Sequence, residues 1–202
     1  MNAQEAKDFW RKSFTLEGRI FYPNILKPTT NKNGRSTFNT MFAWKVGSNE
    51  KVMHDLNNFL MNAKTIFHPS VPMQYFVNPM KKFDSYVRQD GKPNASFLQG
   101  CYWVNAQSGA EFPPPVVDQS RQPVISEAEV YSGRNAVINI SFFNIDKEKK
   151  GLGVNFNAIM LMNGGEREVG SGAVNVDQIF GSFVQDMNPT PSTPSSNGGG
   201  FI

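Results

Sequence analysis

The residues of this 202-residue chain that could carry covalent chemistry are few and poorly placed for it. His54 and His68 have no carboxylate at ligand spacing, so they do not read as a metal site. Cys101 is the single cysteine, which excludes an intrachain disulfide and a cysteine-built zinc site. Without the flanking signature of a nucleophile, it reads as a buried thiol acting as a small hydrophobe. "GLGVNFN" (151–157) is a glycine pair in a strand and lacks the Gly-Lys-Ser/Thr ending of a phosphate loop. "MNGGERE" (162–168) reads as a turn followed by solvated charges. The carboxylates are scattered, with no close pair for acid–base work. The reading is therefore no enzyme, no metal and no cofactor.

A different chemistry is better represented: rings beside cations. In "EVYSGRNAVINISFFN" (129–144), Tyr131 and Arg134 stand at the mouth of an alternating strand. Gly133 between them lets the backbone kink or approach a neighbour. Arg134 could then reach a phosphate or stack on a base, with the Tyr131 ring beside it. Lys147, Lys149 and Lys150 crowd the following turn and would lengthen a basic track. Further candidates are Arg19 and Tyr22, then Phe42, Trp44 and Lys45, then Lys81, Lys82 and Arg88, and Trp103. Phe42 and Trp44 share one strand face, and the pattern does not say whether that face is inward. A ring stacked on a base is worth about 1–3 kcal/mol, and Lys or Arg pairs with phosphate, so the set suits a nucleic-acid single strand.

Charge distribution agrees. Residues 1–100 hold 14 Lys+Arg against 7 Asp+Glu, whereas residues 101–202 hold 6 against 10. A basic half attracts polyanions. Aromatics reach 12%, with 17 Phe; most must be core, and spare rings interleaved with a basic surface are what a single-strand binder needs. Hydrophobic residues make up 39%, and no apolar run approaches the roughly 18 needed to cross a bilayer. The opening "MNAQEAKDFWRK" lacks the apolar block of a signal peptide. The expected location is a cytoplasm.

The elements that must position these groups follow from periodicity. Strands are expected over 14–26 (ending at Pro23), 36–46, 100–108, 130–144 and 152–162, the last two joined as a hairpin through 146–151. A helix is expected from an N-cap at Ser48 to a stop before Pro69. Val52, Leu56, Phe59, Leu60, Ala63 and Ile66 form its apolar stripe. A short element at 176–183 would close the domain. From Asn188 the chain is Pro-, Ser-, Thr- and Gly-rich and cannot pack a core, yet it ends in Phe201 and Ile202. That pair reads as a tethered docking segment.

The fold class is mainly β: an OB-fold-like Greek-key barrel with one inserted α-helix and a disordered C-terminal tail. Composition also permits a sandwich. The expected organisation is a flexible N-terminal segment over 1–12, a single-stranded DNA-binding domain over 13–186 and a disordered tail over 187–202.

Several segments, in order, resemble the phage-encoded single-stranded DNA-binding proteins with an OB fold. "GRIFYPNILKP" resembles that family's first strand and "STFNTMFAW" its second. "GCYWVNAQS" followed by "PPPVVD" resembles its central strand and proline-marked exit. "EVYSGRNAVINISFFNIDKEKKGLGVNFNAI" is the closest match. Together they cover roughly residues 14–170. The resemblance implies a sequence-tolerant coat for single strands in DNA replication and recombination, in an infected bacterium. It also implies phage or host replication and recombination proteins as partners, and no catalysis. Relatives of this kind often carry an acidic tail ending in an aromatic residue; here Asp186 is the tail's only acid. The other class consistent with these residues is a β-rich phage virion or surface-interaction protein, its aromatics forming a subunit or glycan interface. RNA is a second ligand class, and exposed strand edges would permit a homodimer or a filament on DNA.

Overall fold

The computed structural model describes residues 2–88 and 90–168. The expected element at 176–183 and the tail, with Phe201 and Ile202, lie outside the described residues. Alternation of apolar and polar side chains produces the strands. They are β1 (Ser13–Thr30), β2 (Ser36–Lys45), β3 (Lys81–Lys82), β4 (Cys101–Gly109), β5 (Val116–Val117), β6 (Asn135–Asp146) and β7 (Lys150–Leu161). Their order in the sheet is β3-β4-β2-β1-β6-β7-β5. A further parallel pairing, Gln107 with Asn155, joins β4 to β7 and closes the five long strands into a barrel. That closure rules out the sandwich. Phe42, Val104, Ile138, Ile140, Phe142, Leu152 and Phe156 fill the interior.

β1 does not stop at Pro23. It continues by way of a bulge: between the pairs Phe21–Met41 and Asn24–Asn39, β1 advances three residues while β2 advances two. The extra residue absorbs Pro23, which has no N–H to give to a ladder. Tyr22 adopts φ 49°, a left-handed conformation that costs a non-glycine residue about 1–3 kcal/mol. Its N–H donates to Ser132 Oγ at 2.8 Å, which holds it there.

α2 (Glu50–Phe67) follows β2 and seals one end of the barrel with Met53, Leu56, Phe59, Leu60 and Ala63. Its N-cap is Asn49, not Ser48. The Asn49 amide accepts from the Glu17 N–H at 3.0 Å and donates to the Glu17 carbonyl at 2.9 Å, fixing the helix start to β1. Ile66, expected in the apolar stripe, is exposed on the last turn.

The first residues are not a flexible segment. α1 (Ala3–Trp10) opens with a capping box in which Asn2 and Glu5 exchange hydrogen bonds. Phe9 stacks on Phe59 with centroids 4.5 Å apart, and Trp10 packs on Phe67 at 4.6 Å. Aromatic burial supplies the stability that a two-turn helix lacks alone.

Phe59 joins the Phe9, Phe14 and Phe142 rings. Phe59→Ala is therefore expected to cost about 3–5 kcal/mol in urea unfolding.

Candidate nucleic-acid interface

In the strands that close the barrel, each inward residue leaves its neighbours pointing out. Along β2 and β4 the outward set is Asn39, Met41 and Ala43 beside Gln107, Asn105 and Trp103, paired in that order. One end of this face is roofed by residues 83–98. Phe21, Ala43, Leu98, Cys101 and Trp103 form a small core of their own, outside the barrel, packed by Met41, Phe83, Tyr86, Ala95 and Phe97. Cys101 sits there, where burial pushes its thiol pKa up. Among the described residues no three His, Cys, Asp or Glu side chains group as a metal site requires.

Beside this roof lies a cavity of about 350 Å³ with Tyr22, Tyr86, Phe97, Lys81 and Arg88 on its walls and Asn105 and Trp103 along its base. Tyr22 is 57% exposed and meets Phe97 edge-on at 6.1 Å, while Phe97 stacks on Phe21 at 4.3 Å. The bulge in β1 is what pushes Tyr22 out. Lys81 Nζ lies 4.7 Å from the centre of the Tyr86 ring. The Arg88 guanidinium binds the Asp90 carboxylate through two bonds, of 2.8 and 2.6 Å. That pairing lowers the Asp90 pKa to about 2.

A second, larger cavity of about 790 Å³ opens where β4 meets β7. Arg35, Gln107, Glu111, Phe112, Phe143, Asn155 and Asn157 contribute to it. Asn105 in one cavity and Gln107 in the other are successive outward residues of β4, about 7 Å apart. The two cavities thus lie side by side along the outer face of β4. Between them, Asn24 Nδ2 donates to Asn39 Oδ1 at 3.1 Å, and Asn39 Nδ2 donates to Thr29 Oγ1 at 3.0 Å. The floor is amide and thioether; the cations stand at the ends.

The candidates named from sequence divide. Tyr22, Lys81 and Arg88 come together in the smaller cavity. Lys82, next along β3, falls on the opposite face, near Tyr102 and Asp84. Lys45 ends β2, its Nζ 3.4 Å from the Gln99 carbonyl. Trp44, like Phe42, faces the barrel interior at 2% exposure and is corrected to core; its Nε1 donates to Met53 Sδ at 3.2 Å. Trp103 faces outward but is covered edge-on by Tyr86, so it supports the groove and offers no free ring face.

Tyr131, Arg134 and Arg19 come together at a separate junction, half-buried, with part of their donors on backbone carbonyls. Arg134 Nε donates to the Met162 carbonyl at 3.2 Å and its Nη1 to the Glu129 carbonyl. Arg19 Nε donates to the Gly133 carbonyl at 2.7 Å and Nη2 to the Glu166 carbonyl at 2.8 Å. Tyr131 has the guanidiniums of Arg134 and Arg167 at its ring, 5.7 and 4.8 Å from the centroid. These cations satisfy backbone carbonyls where β6 begins and β7 leaves, which spends them on structure. Gly133 is needed for close approach, as expected: a Cβ there would lie 1.9 Å from the Glu166 carbonyl. Lys147 and Lys149 are exposed at the hairpin tip, and Lys150 pairs with Asp146. The tip lies about three residues, roughly 10 Å, beyond Phe143 at the larger cavity.

Sequence reasoning missed Arg35, Phe97, Tyr86, Phe112 and Phe143. Arg35 had a signal: it flanks the Asn-Gly turn of the first hairpin, and the loop between the first two strands of an OB barrel is a ligand loop. The others lie in irregular segments or alternate with core phenylalanine, where periodicity carries no sign.

A five-stranded Greek-key barrel with a groove on this face defines an OB-type oligonucleotide-binding fold. The family model described as the ssDNA-binding protein of Enterobacter phage Enc34 matches residues 12–188, and the chain belongs to that family. The solved single-stranded DNA-binding protein of bacteriophage Enc34 aligns with a TM-score of 0.62 at 15% identity, covering 83% of this chain and 89% of that one. Its complex with ssDNA aligns at 0.59, 15% identity, covering 80% and 89%. The crystal structure of gp2.5, a single-stranded DNA-binding protein encoded by bacteriophage T7, aligns at 0.52 and 12% identity, covering 82% and 98%. No curated protein sequence matches.

Because Arg134 serves carbonyls, Arg134→Ala is expected to lower unfolding free energy by about 1–3 kcal/mol. Its affinity for oligo-dT, measured on the folded fraction at one salt concentration, should stay within twofold of the parent.

Proposed function

We propose that this protein binds single-stranded DNA along the groove across β1, β2, β4 and β7, without strong dependence on sequence. One observation carries the reading: exposed rings line both cavities, with Tyr22 beside Lys81 in one and Phe112 beside Arg35 in the other. Bases stack on Tyr22 at one end and on Phe112 or Phe143 at the other. Lys81, Arg35 and the hairpin-tip Lys147 and Lys149 take phosphates. Asn and Gln side chains both donate and accept, so the floor meets any base edge. The Arg88–Asp90 pair opens only if a phosphate outcompetes the carboxylate. Family membership supports a phage accessory role in replication and recombination inside the infected host cell. Phe201 and Ile202 would contact protein partners.

The test is anisotropy of dye-labelled oligo-dT at several salt concentrations, with duplex DNA as control. Intrinsic tryptophan would report weakly, because Trp44 and Trp103 are both buried. Expected is single-strand binding whose log–log salt slope falls by about 0.7 for each of Lys81 and Arg35 changed to alanine. Tyr22→Ala should cost about 1–3 kcal/mol with the slope unchanged. Absence of binding at low salt would turn the reading to a virion or surface-interaction protein.

A further inference from the structure

We propose that the larger cavity selects among bases and favours guanine, with Glu111 as the selecting residue. The proposal rests on the single-strand reading of the groove. Glu111 follows the end of β4, and its side chain folds back over Gly109: a Cβ placed on Gly109 would lie 2.9 Å from Glu111 Oε1. The residue is exposed, lines the cavity, and takes part in none of the ion pairs among the described residues. Arg35 lines the same cavity and is equally absent from those pairs.

A bare carboxylate in a groove for a polyanion repels every phosphate that passes. It becomes favourable only where a donor faces it, and in a single strand the donors are on the Watson–Crick edges of unpaired bases. Guanine offers N1–H and N2–H side by side, matching the two carboxylate oxygens in a charge-assisted pair. Cytosine and adenine offer one amino group each. Thymine offers a single N3–H between two carbonyl oxygens that the carboxylate repels. Phe112 and Phe143 supply ring faces for the base held there. Phe143 lies over Gly153, where a Cβ would come within 2.1 Å of the ring. Gln107 lines the same space, and its amide donors complement a carbonyl such as guanine O6; the Asn155 and Asn157 amides give one N–H each, to Ser141 Oγ and Asn139 Oδ1 respectively, and keep a second. Arg35 is left for the adjoining phosphate.

The experiment is competition against labelled oligo-dT by unlabelled oligonucleotides of about 12 residues. They are all-thymine, or thymine with one central guanine, hypoxanthine or cytosine. The single-guanine strand should bind about fivefold tighter than all-thymine. Hypoxanthine, which lacks the 2-amino group, should lose most of that gain. Glu111→Gln should abolish the guanine preference and leave all-thymine binding equal or slightly stronger, since a repulsive charge is gone. Equal binding of the guanine and thymine strands by the parent protein, or a guanine preference that survives in Glu111→Gln, overturns the proposal while leaving single-strand binding intact. No binding by any strand at low salt overturns the single-strand reading and this one with it.

Discussion

The pairing of Gln107 on β4 with Asn155 on β7 closes the sheet, and the rest of the molecule depends on that closure. An open sheet of these strands would leave two edges and one face to hide. Closure removes the edges and turns one face into a sealed interior. Each long strand must then divide its residues strictly between inside and outside. Phe42 and Val104 are paired inward, while Met41 and Asn105, paired outward one step along, become groove floor. The site is therefore a by-product of the core: the same alternation that fills the barrel exports amides to its surface.

A bare barrel face would be flat and weakly selective. Two local departures from regularity give it relief. The bulge at Tyr22 raises one ring at the cost of a left-handed backbone, and Ser132 and the Arg19–Gly133 bond hold that strain in place. The segment from 83 to 98 adds a second small core over Trp103 and Phe21, so that Tyr86 and Phe97 form a wall. The Asn94 amide donates to the Tyr86 carbonyl at 2.8 Å and ties the segment to itself. Both devices are anchored on residues buried against the outside of the barrel.

How much of this was legible follows from where periodicity speaks. The strand around Ile138–Phe142 alternates cleanly and α2 repeats at 3.6, so those elements could be read, and β2 by its β-forming aromatic run. Period alone does not carry a sign. Phe42 and Trp44 share a face, but only closure of the sheet determines that this face is inside. Trp103 does face outward, yet a segment without periodicity covers it. Arginine was ambiguous for another reason: a guanidinium bonds a phosphate and a backbone carbonyl with the same donors. Arg134 looked like a ligand contact because it stands beside a tyrosine and a glycine. The same neighbours suit a junction where the incoming and outgoing chains press together too closely for any side chain at Gly133.

This division of arginines explains how a chain with a formal net charge of only +3 can still offer a track for phosphates. Arg19 and Arg134 are consumed by carbonyls and Arg88 by Asp90, while Arg35 and the lysines at the hairpin tip are left to the solvent. The groove floor adds no charge of its own. On the proposed reading the response to ionic strength comes from the ends, where Arg35 and the hairpin-tip lysines stand.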